Sequence, residues 1–360
     1  MGVRPVLAAT LVLLVAAAPA AARPFVVTNA GSAPSVAVDS RGTAHVVWDS
    51  VSADETSTTH YCQVPRTARA CAAATHRTFA PVVGDSDFAG PRIFLNGTSI
   101  VIATARCCTS EIGPDGQVYG SREYVIRSQD GGATFADPAW VGTQEPGFGA
   151  ALDGNTLITF ATGDSGPGLQ ASPLDGFSGT VNPVSSRSLI SGGIGVSPKG
   201  GVVAFTDTAD NLFVAALTGD PNTANLSPRA AGKGSDVVVT SGPKGVDVLS
   251  LTPGKDTRYV IRRYANRRAG RAVQVSELGF PVFGTAVQDG VGRVHAAWVG
   301  ERGLTYRRSA PDGRRFASPQ RVSAKFGFFA LSLGANASGR AAVVYDSNKP
   351  SGRVGGFTVG

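Results

Sequence analysis

The stretches DSRGTAHVVWDS (Asp39–Ser50) and DGVGRVHAAWVG (Asp289–Gly300) agree at four spaced positions, Asp39, Gly42, His45 and Trp48 against Asp289, Gly292, His295 and Trp298. Weaker copies follow: Gly339 precedes Tyr345 and Asp346, and Gly200 precedes Asp207 at a similar distance. Seven units can be placed, beginning near Gly31, Gly90, Gly147, Gly192, Gly234, Gly284 and Phe328. Each opens with a short apolar strand, a turn and a second strand, as in SVAVD followed by TAHVVWD. Several continue into a third strand and another turn, as in YVIRSQDGGATF, LQASPLDGFSG and LTYRRSAPDGRRF. A self-similar period of roughly 40 to 60 residues, built of antiparallel strands, is that of propeller blades. The fold expected is therefore all-β, a seven-bladed β-propeller, with six blades if the second and third units share their strands differently. The last unit is short of a strand, and PFVVTN near the start of the chain belongs to no unit. An open sheet edge invites aggregation, so this segment is expected to close the last blade.

Residues 1–22 read as an export signal: one basic side chain in MGVRP, an apolar run from Val6 to Ala18, then Pro19 and three alanines before Arg23. The apolar run is shorter than the roughly 20 residues a spanning helix needs, and no other stretch approaches that length. A secreted protein with one propeller domain over 23–360 is expected. Export favours disulfides, and the four cysteines allow three pairings. The preferred one joins Cys62 with Cys71 and the adjacent Cys107 with Cys108. Neither pair has the C-x2-C spacing of a zinc ribbon, and neither metal nor cofactor is expected.

The segment Ser128-Gln129-Asp130-Gly131-Gly132-Ala133-Thr134-Phe135 resembles the Asp-box, or BNR repeat, of the sialidase-like propellers. Ser309, Asp312, Gly313 and Phe316 form a looser copy in the sixth unit. The residue types have a structural reading. An Asp opening a hairpin accepts hydrogen bonds from its own turn, Gly permits positive φ, and the aromatic ring packs beneath the loop. In the family this turn joins third and fourth strands on the face away from the active site, so Ser128, Asp130, Gly132, Thr134 and Phe135 are expected to be structural.

The resemblance also implies candidates for an acidic-sugar site. Sialidases use a tyrosine activated by a glutamate, an aspartate as acid and base, and three arginines that hold the sialic acid carboxylate. Pro91-Arg92-Ile93-Phe94 is similar to the Arg-Ile-Pro signature that carries one of those arginines, but Phe94 stands where the proline follows and the string falls in the second unit rather than before the first. None of the seven tyrosines stands in a motif that marks a nucleophile, and glutamates are few. Turns after each second strand place Asp49, Asp164, Asp207 and Asp346, with Arg106, on the face expected to hold a ligand. A ring of carboxylates can bind a cation or serve as acid and base; the same aspartates can equally be the inherited ends of strands. His45 and His295 are expected to pack within their blades.

Charge is unevenly distributed. Residues 258–325 hold fourteen basic and four acidic side chains, while the whole chain is only +7. Arg258, Arg262, Arg263, Arg267, Arg268 and Arg271, echoed by Arg307, Arg308, Arg314 and Arg315, form a candidate polyanion patch, with a solvated arginine-rich face as the alternative. Nucleic acid is not expected, since no recognition motif accompanies the charge. The functional expectation is a module that binds a glycan or a polyanionic surface polymer, or presents a surface to another protein; the alternative is an exo-α-sialidase.

Overall fold

The computed structural model describes residues 22–52, 57–79, 90–143, 147, 149–163, 166–255, 257–279, 281–323, 328–347 and 352–359. The expected export signal lies outside these residues except for Ala22. Seven antiparallel sheets, six of four strands and one of five, form the seven blades of a propeller. A 3-10 turn at Ala73–Thr75 is the one helical element among the described residues. The innermost strands, taken as blades 1 to 7 in chain order, are Ser32–Val38, Arg92–Asn96, Gly149–Asp153, Leu189–Gly195, Ser235–Thr240, Gly284–Gln288 and Phe328–Ala335. Each starts within three residues of the unit boundary expected from the repeat. Blades 2 and 3 are separate four-stranded sheets, which removes the six-bladed alternative.

Closure occurs where the orphan strand was expected. Arg23–Thr28 is the outermost strand of blade 7, beside Arg353–Val359, then Ala341–Ser347, then Phe328–Ala335. Its register runs from Arg23 opposite Thr358 to Thr28 opposite Val354. Phe25, 3% exposed, joins an apolar cluster that includes Val344 and Val354 of blade 7 and Val36, Val46 and Trp48 of blade 1. Its ring lies directly on Gly356, where a Cβ would collide with it. The Cys62–Cys71 disulfide forms as expected. The loop it closes is tied to the closing strand, for the Val26 amide donates to the Arg69 carbonyl at 2.9 Å. The side chains of Cys107 and Cys108 lie outside the described residues.

The repeated Asp, Gly and His explain themselves once folded. Gly42, Gly292 and Gly339 take φ of 87°, 90° and 83°, the left-handed conformation that the turn after each first strand requires. Asp39 and Asp289 accept the amides of Thr43 and Arg293 across that turn at 2.8 and 3.0 Å. The two histidines are buried, and burial lowers their pKa, so both rings are neutral. His295 Nε2 donates to Asp289 at 3.0 Å, and its Nδ1 accepts from the Tyr306 hydroxyl at 2.6 Å. His45 repeats the contact with Tyr61 at 2.7 Å, with Asp39 beyond it at 3.6 Å. Burial alone would raise Asp289; the hydrogen bonds from His295 and Arg293 outweigh it and hold the carboxyl at about 2.

If closure depends on the Phe25 ring, Phe25→Ala should lower unfolding free energy by about 3–5 kcal/mol, the usual cost of emptying a buried aromatic site. Urea denaturation measures this; a loss below about 1 kcal/mol would show that the strand's backbone pairing alone closes the ring.

Candidate functional site

Strand direction divides the propeller into two faces. The turns joining first to second and third to fourth strands lie on one, here the lower face. The turns joining second to third strands, with the starts of first and third strands, lie on the upper face. The seven innermost strands enclose an axial cavity of about 810 Å3. Its lining is dominated by small and aliphatic residues, among them Val36, Ile93, Ala150, Ile194, Val238 and Leu333.

Arg92 departs from that lining. It opens the innermost strand of blade 2, so it stands where the cavity meets the upper face. Its Nε is buried without a partner, and its side chain makes no hydrogen bond or ion pair among the described residues. Burial lowers its pKa, the signature of a desolvated cation. Arg258 and Arg353, which open the third strands of blades 5 and 7 on the same face, also have a buried, unpartnered Nε.

The other candidates are engaged within the protein. Arg106 and Asp49, 1% and 2% exposed, lock blade 2 to blade 1. Arg106 Nη1 lies 3.5 Å from Asp49 Oδ2 and donates to the Ala105 carbonyl at 2.7 Å, and Nη2 donates to Thr59 Oγ1 at 3.1 Å. Thr59 in turn donates to Asp49 Oδ1 at 2.7 Å. Burial raises the Asp49 pKa, and Arg106 opposes that shift. Asp207 accepts from the Asn211 side chain and from the amides of Asn211 and Ala209, bonds that lower its pKa against burial. Asp346 accepts the Ala330 and Ala33 amides at 2.6 and 3.1 Å, bridging blades 7 and 1. Asp164 lies outside the described residues. Among the described residues no three histidine, cysteine or carboxylate side chains gather as a metal cage.

The tyrosines have no activated member among those with resolved contacts. Tyr259 donates to Asp236 in a buried pair within blade 5, and Asp236 also accepts the Gly284 amide of blade 6; burial, then the Asp236 charge, raises the Tyr259 pKa. Tyr119 donates to Asp115 at 2.6 Å, and this bond pushes its pKa up to about 12. Burial also raises Tyr61 and Tyr306, which serve the histidines. A nucleophilic phenol needs the opposite shift.

On the lower face, the Asp-box is a closed hydrogen-bonded turn. Asp130 accepts from the Thr134 hydroxyl and amide and from the Ser128 hydroxyl, in that order of effect, and its pKa falls accordingly. Gly131 and Gly132 have φ of 74° and 89°. Phe135 packs edge-on to Tyr61 and Phe79 of blade 1, with ring centroids 4.8 and 5.2 Å away. In the looser copy Gly313 keeps a left-handed φ of 71°, but Asp312 is displaced by one position and accepts the Arg314 amide.

The basic run is split by the fold. Arg258 belongs to the upper face. Arg263 pairs through two nitrogens with buried Asp247, at 2.9 and 2.8 Å, and donates to the Gly292 carbonyl. Arg262 lies 3.5 Å from the Ala231 carbonyl, Arg307 donates to Val275 and Ala317, and Arg308 donates to Gly339. Arg267, Arg268, Arg271, Arg314 and Arg315 are exposed on lower-face turns.

Sequence reasoning did not single out Glu123. It is fully buried between blades 2 and 3, with one carboxyl oxygen accepting from Thr159 and Oε2 unpartnered. Oε2, Gln170 Oε1 and Ser172 Oγ converge on the space that Gly142 leaves by lacking a side chain. Burial pushes its pKa up to about 8 despite the Thr159 bond. The only sequence signal is a carboxylate interrupting an apolar third strand, REYVIR.

No family model matches the chain, and no curated protein is similar to it at the level searched. Solved structures share its fold. A Dyadobacter fermentans protein of unknown function is similar at a TM-score of 0.52 and 14% identity, over 95% of this chain and 98% of that one. A Hadza microbial sialidase is similar at 0.50 and 11% identity, over 91% of this chain and 65% of that one. Trypanosoma rangeli sialidase gives 0.48 and 9%, over 92% and 54%. The chain thus spans about 65% and 54% of the lengths of these two sialidases. The likeness is one of fold.

Glu123 has a consequence for stability. With its folded pKa raised, the native state keeps a proton that the unfolded chain releases, so stability falls as pH rises from about 4.5 to 8 and levels off above that. Glu123→Gln retains an acceptor for Thr159 and carries no charge. Urea midpoints at pH 5.5 and 8.5 should therefore fall more for the wild type than for the variant; equal pH dependence would place the Glu123 pKa in the ordinary range.

Proposed function

We propose that the protein is an exported, sialidase-like propeller that binds an acidic glycan at the upper-face mouth of its axial cavity without hydrolysing it. The observation that carries this reading is Arg92, a residue of the cavity lining whose Nε is buried without a partner. A desolvated charge left unpaired is costly, and a ligand carboxylate that engages both edges of the guanidinium offsets that cost. Arg258 and Arg353 add unpaired positive charge to the same face. The candidate aspartates support binding over hydrolysis: Asp49, Asp207 and Asp346 hold local structure, and the carboxylates paired with Tyr119 and Tyr259 keep those phenols protonated. The likeness to sialidase folds supports a sugar carboxylate as the anion, and the exo-α-sialidase reading is retained because it would use the same arginine.

Two measurements on the purified protein separate the readings. Sialylated oligosaccharides should bind and their desialylated counterparts should not, with Arg92→Ala weakening binding at least tenfold. An aryl α-sialoside should release no fluorophore above a heat-inactivated control. Turnover abolished by Arg92→Ala would establish the hydrolase; absence of both binding and turnover would remove the acidic-sugar assignment.

A further inference from the structure

A second pocket, of about 250 Å3, lies on the lower face at the seam where blade 7 meets blade 1. Three guanidinium side chains line it: Arg23 from the closing strand, Arg66 from the third turn of blade 1 and Arg340 from the first turn of blade 7. Thr67 and Thr358 complete its polar lining, and no carboxylate contributes.

The walls are held in place by the devices that close the ring. Arg340 Nη1 donates to the Arg41 carbonyl across the seam at 2.9 Å, and its side chain lies on Gly42, whose left-handed turn leaves room for it. Arg66 and Thr67 stand inside the loop closed by Cys62–Cys71, and that loop is pinned to the closing strand through Val26 and Arg69. Arg23 pairs with Thr358 within the sheet. The Arg340 guanidinium, held by its bond to Arg41, loses little freedom when a ligand binds, while the exposed Arg23 and Arg66 side chains extend from backbone that the sheet and the disulfide loop hold in place.

Charge on this face favours an anion approaching from the same side. Exposed Arg267, Arg268 and Arg271 of blade 5 and Arg314 and Arg315 of blade 6 stand on the turns leading toward the seam. Asp312 is the exposed acid in that blade 6 turn, whereas the corresponding turns of blades 2, 3 and 4 present exposed Asp130, Asp137, Asp153, Asp175 and Asp220, with Lys199 and Arg229 as the opposing cations. The face is basic on one side and acidic on the other, which steers an anion to the arginine side.

We infer that the seam pocket binds a tetrahedral oxyanion, a sulfate or phosphate ester group borne by an extracellular polymer. Guanidinium groups match such oxygens through paired N–H donors, and hydroxyls of Thr67 and Thr358 supply further donors. This site is on the face opposite Arg92 and does not depend on the acidic-glycan reading.

The test is isothermal titration of the full chain with inorganic phosphate and inorganic sulfate in low-salt buffer at pH 7. Saturable one-to-one binding is expected, weakened at least tenfold by Arg66→Ala and by Arg23→Ala. Both residues are exposed, so neither variant should disturb folding. Arg314→Ala with Arg315→Ala removes two charges from the same face outside the pocket and should change affinity less than threefold; Arg92→Ala should leave it unchanged. Glycerol phosphate and a sulfated monosaccharide then identify the ester, and binding of either that Arg66→Ala abolishes supports the site. No saturation with either ion, or equal loss in the Arg314 and Arg315 double variant, would overturn it.

Discussion

A strand from the start of the chain completes a sheet that the end of the chain leaves one strand short, and the ring exists only because these two segments meet. Arg23–Thr28 pairs with Arg353–Val359, Phe25 enters a core shared by blades 7 and 1, and the disulfide loop of blade 1 grips the strand from the other side. The cost of joining chain ends grows slowly with the length between them, about 0.6 kcal/mol for each doubling. A long ring can therefore be closed by one strand, provided that strand is buried as well as paired. The open alternative leaves the Arg353–Val359 edge unpaired and exposes the Phe25 site together, so closure and core formation are one event.

Closure also determines how the rest of the polar side chains are used. Blades are joined to their neighbours by side chains that reach across to the next turn: Arg263 to Gly292, Arg308 to Gly339 and Arg340 to Arg41. On the upper face, Asp49 with Arg106 and Asp346 with the Ala33 amide do the same work. These contacts, with the turn that Asp207 closes, engage the three described aspartates at the ends of second strands. Arg92, Arg258 and Arg353 stand apart from these contacts, each with a buried Nε that has no partner.

The fold was legible because a propeller repeats locally. The spacing of Asp, Gly and His encodes a turn and its support within one blade, and the shortage of a strand in the last unit pointed to PFVVTN. The Asp-box was legible for the same reason, since every bond to Asp130 comes from within four residues. Partners between blades were not. Arg106 and Asp49 are 57 residues apart, and Glu123 meets Thr159 across 36. Their meeting depends on how neighbouring blades pack, which a period of variable length does not encode. Arg263 shows the converse: read as part of a surface patch, it is spent on buried Asp247, which nothing in the run RYVIRRYANRRAGR reveals.

The same geometry explains why charge clustered in sequence is not charge clustered in space. Residues along a third strand travel from one face to the other, so Arg258 at its start and Arg267 just past its end lie on opposite faces although nine positions separate them. Side chains between them are divided again by the alternation of the strand. The reverse holds at the seam, where Arg23, Arg66 and Arg340 come from three distant parts of the chain and line one pocket because closure brings the first and last blades together. In a ring closed by its own ends, the residues nearest the seam are those that sequence separation places farthest apart, and a site there can be seen only once the ring is closed.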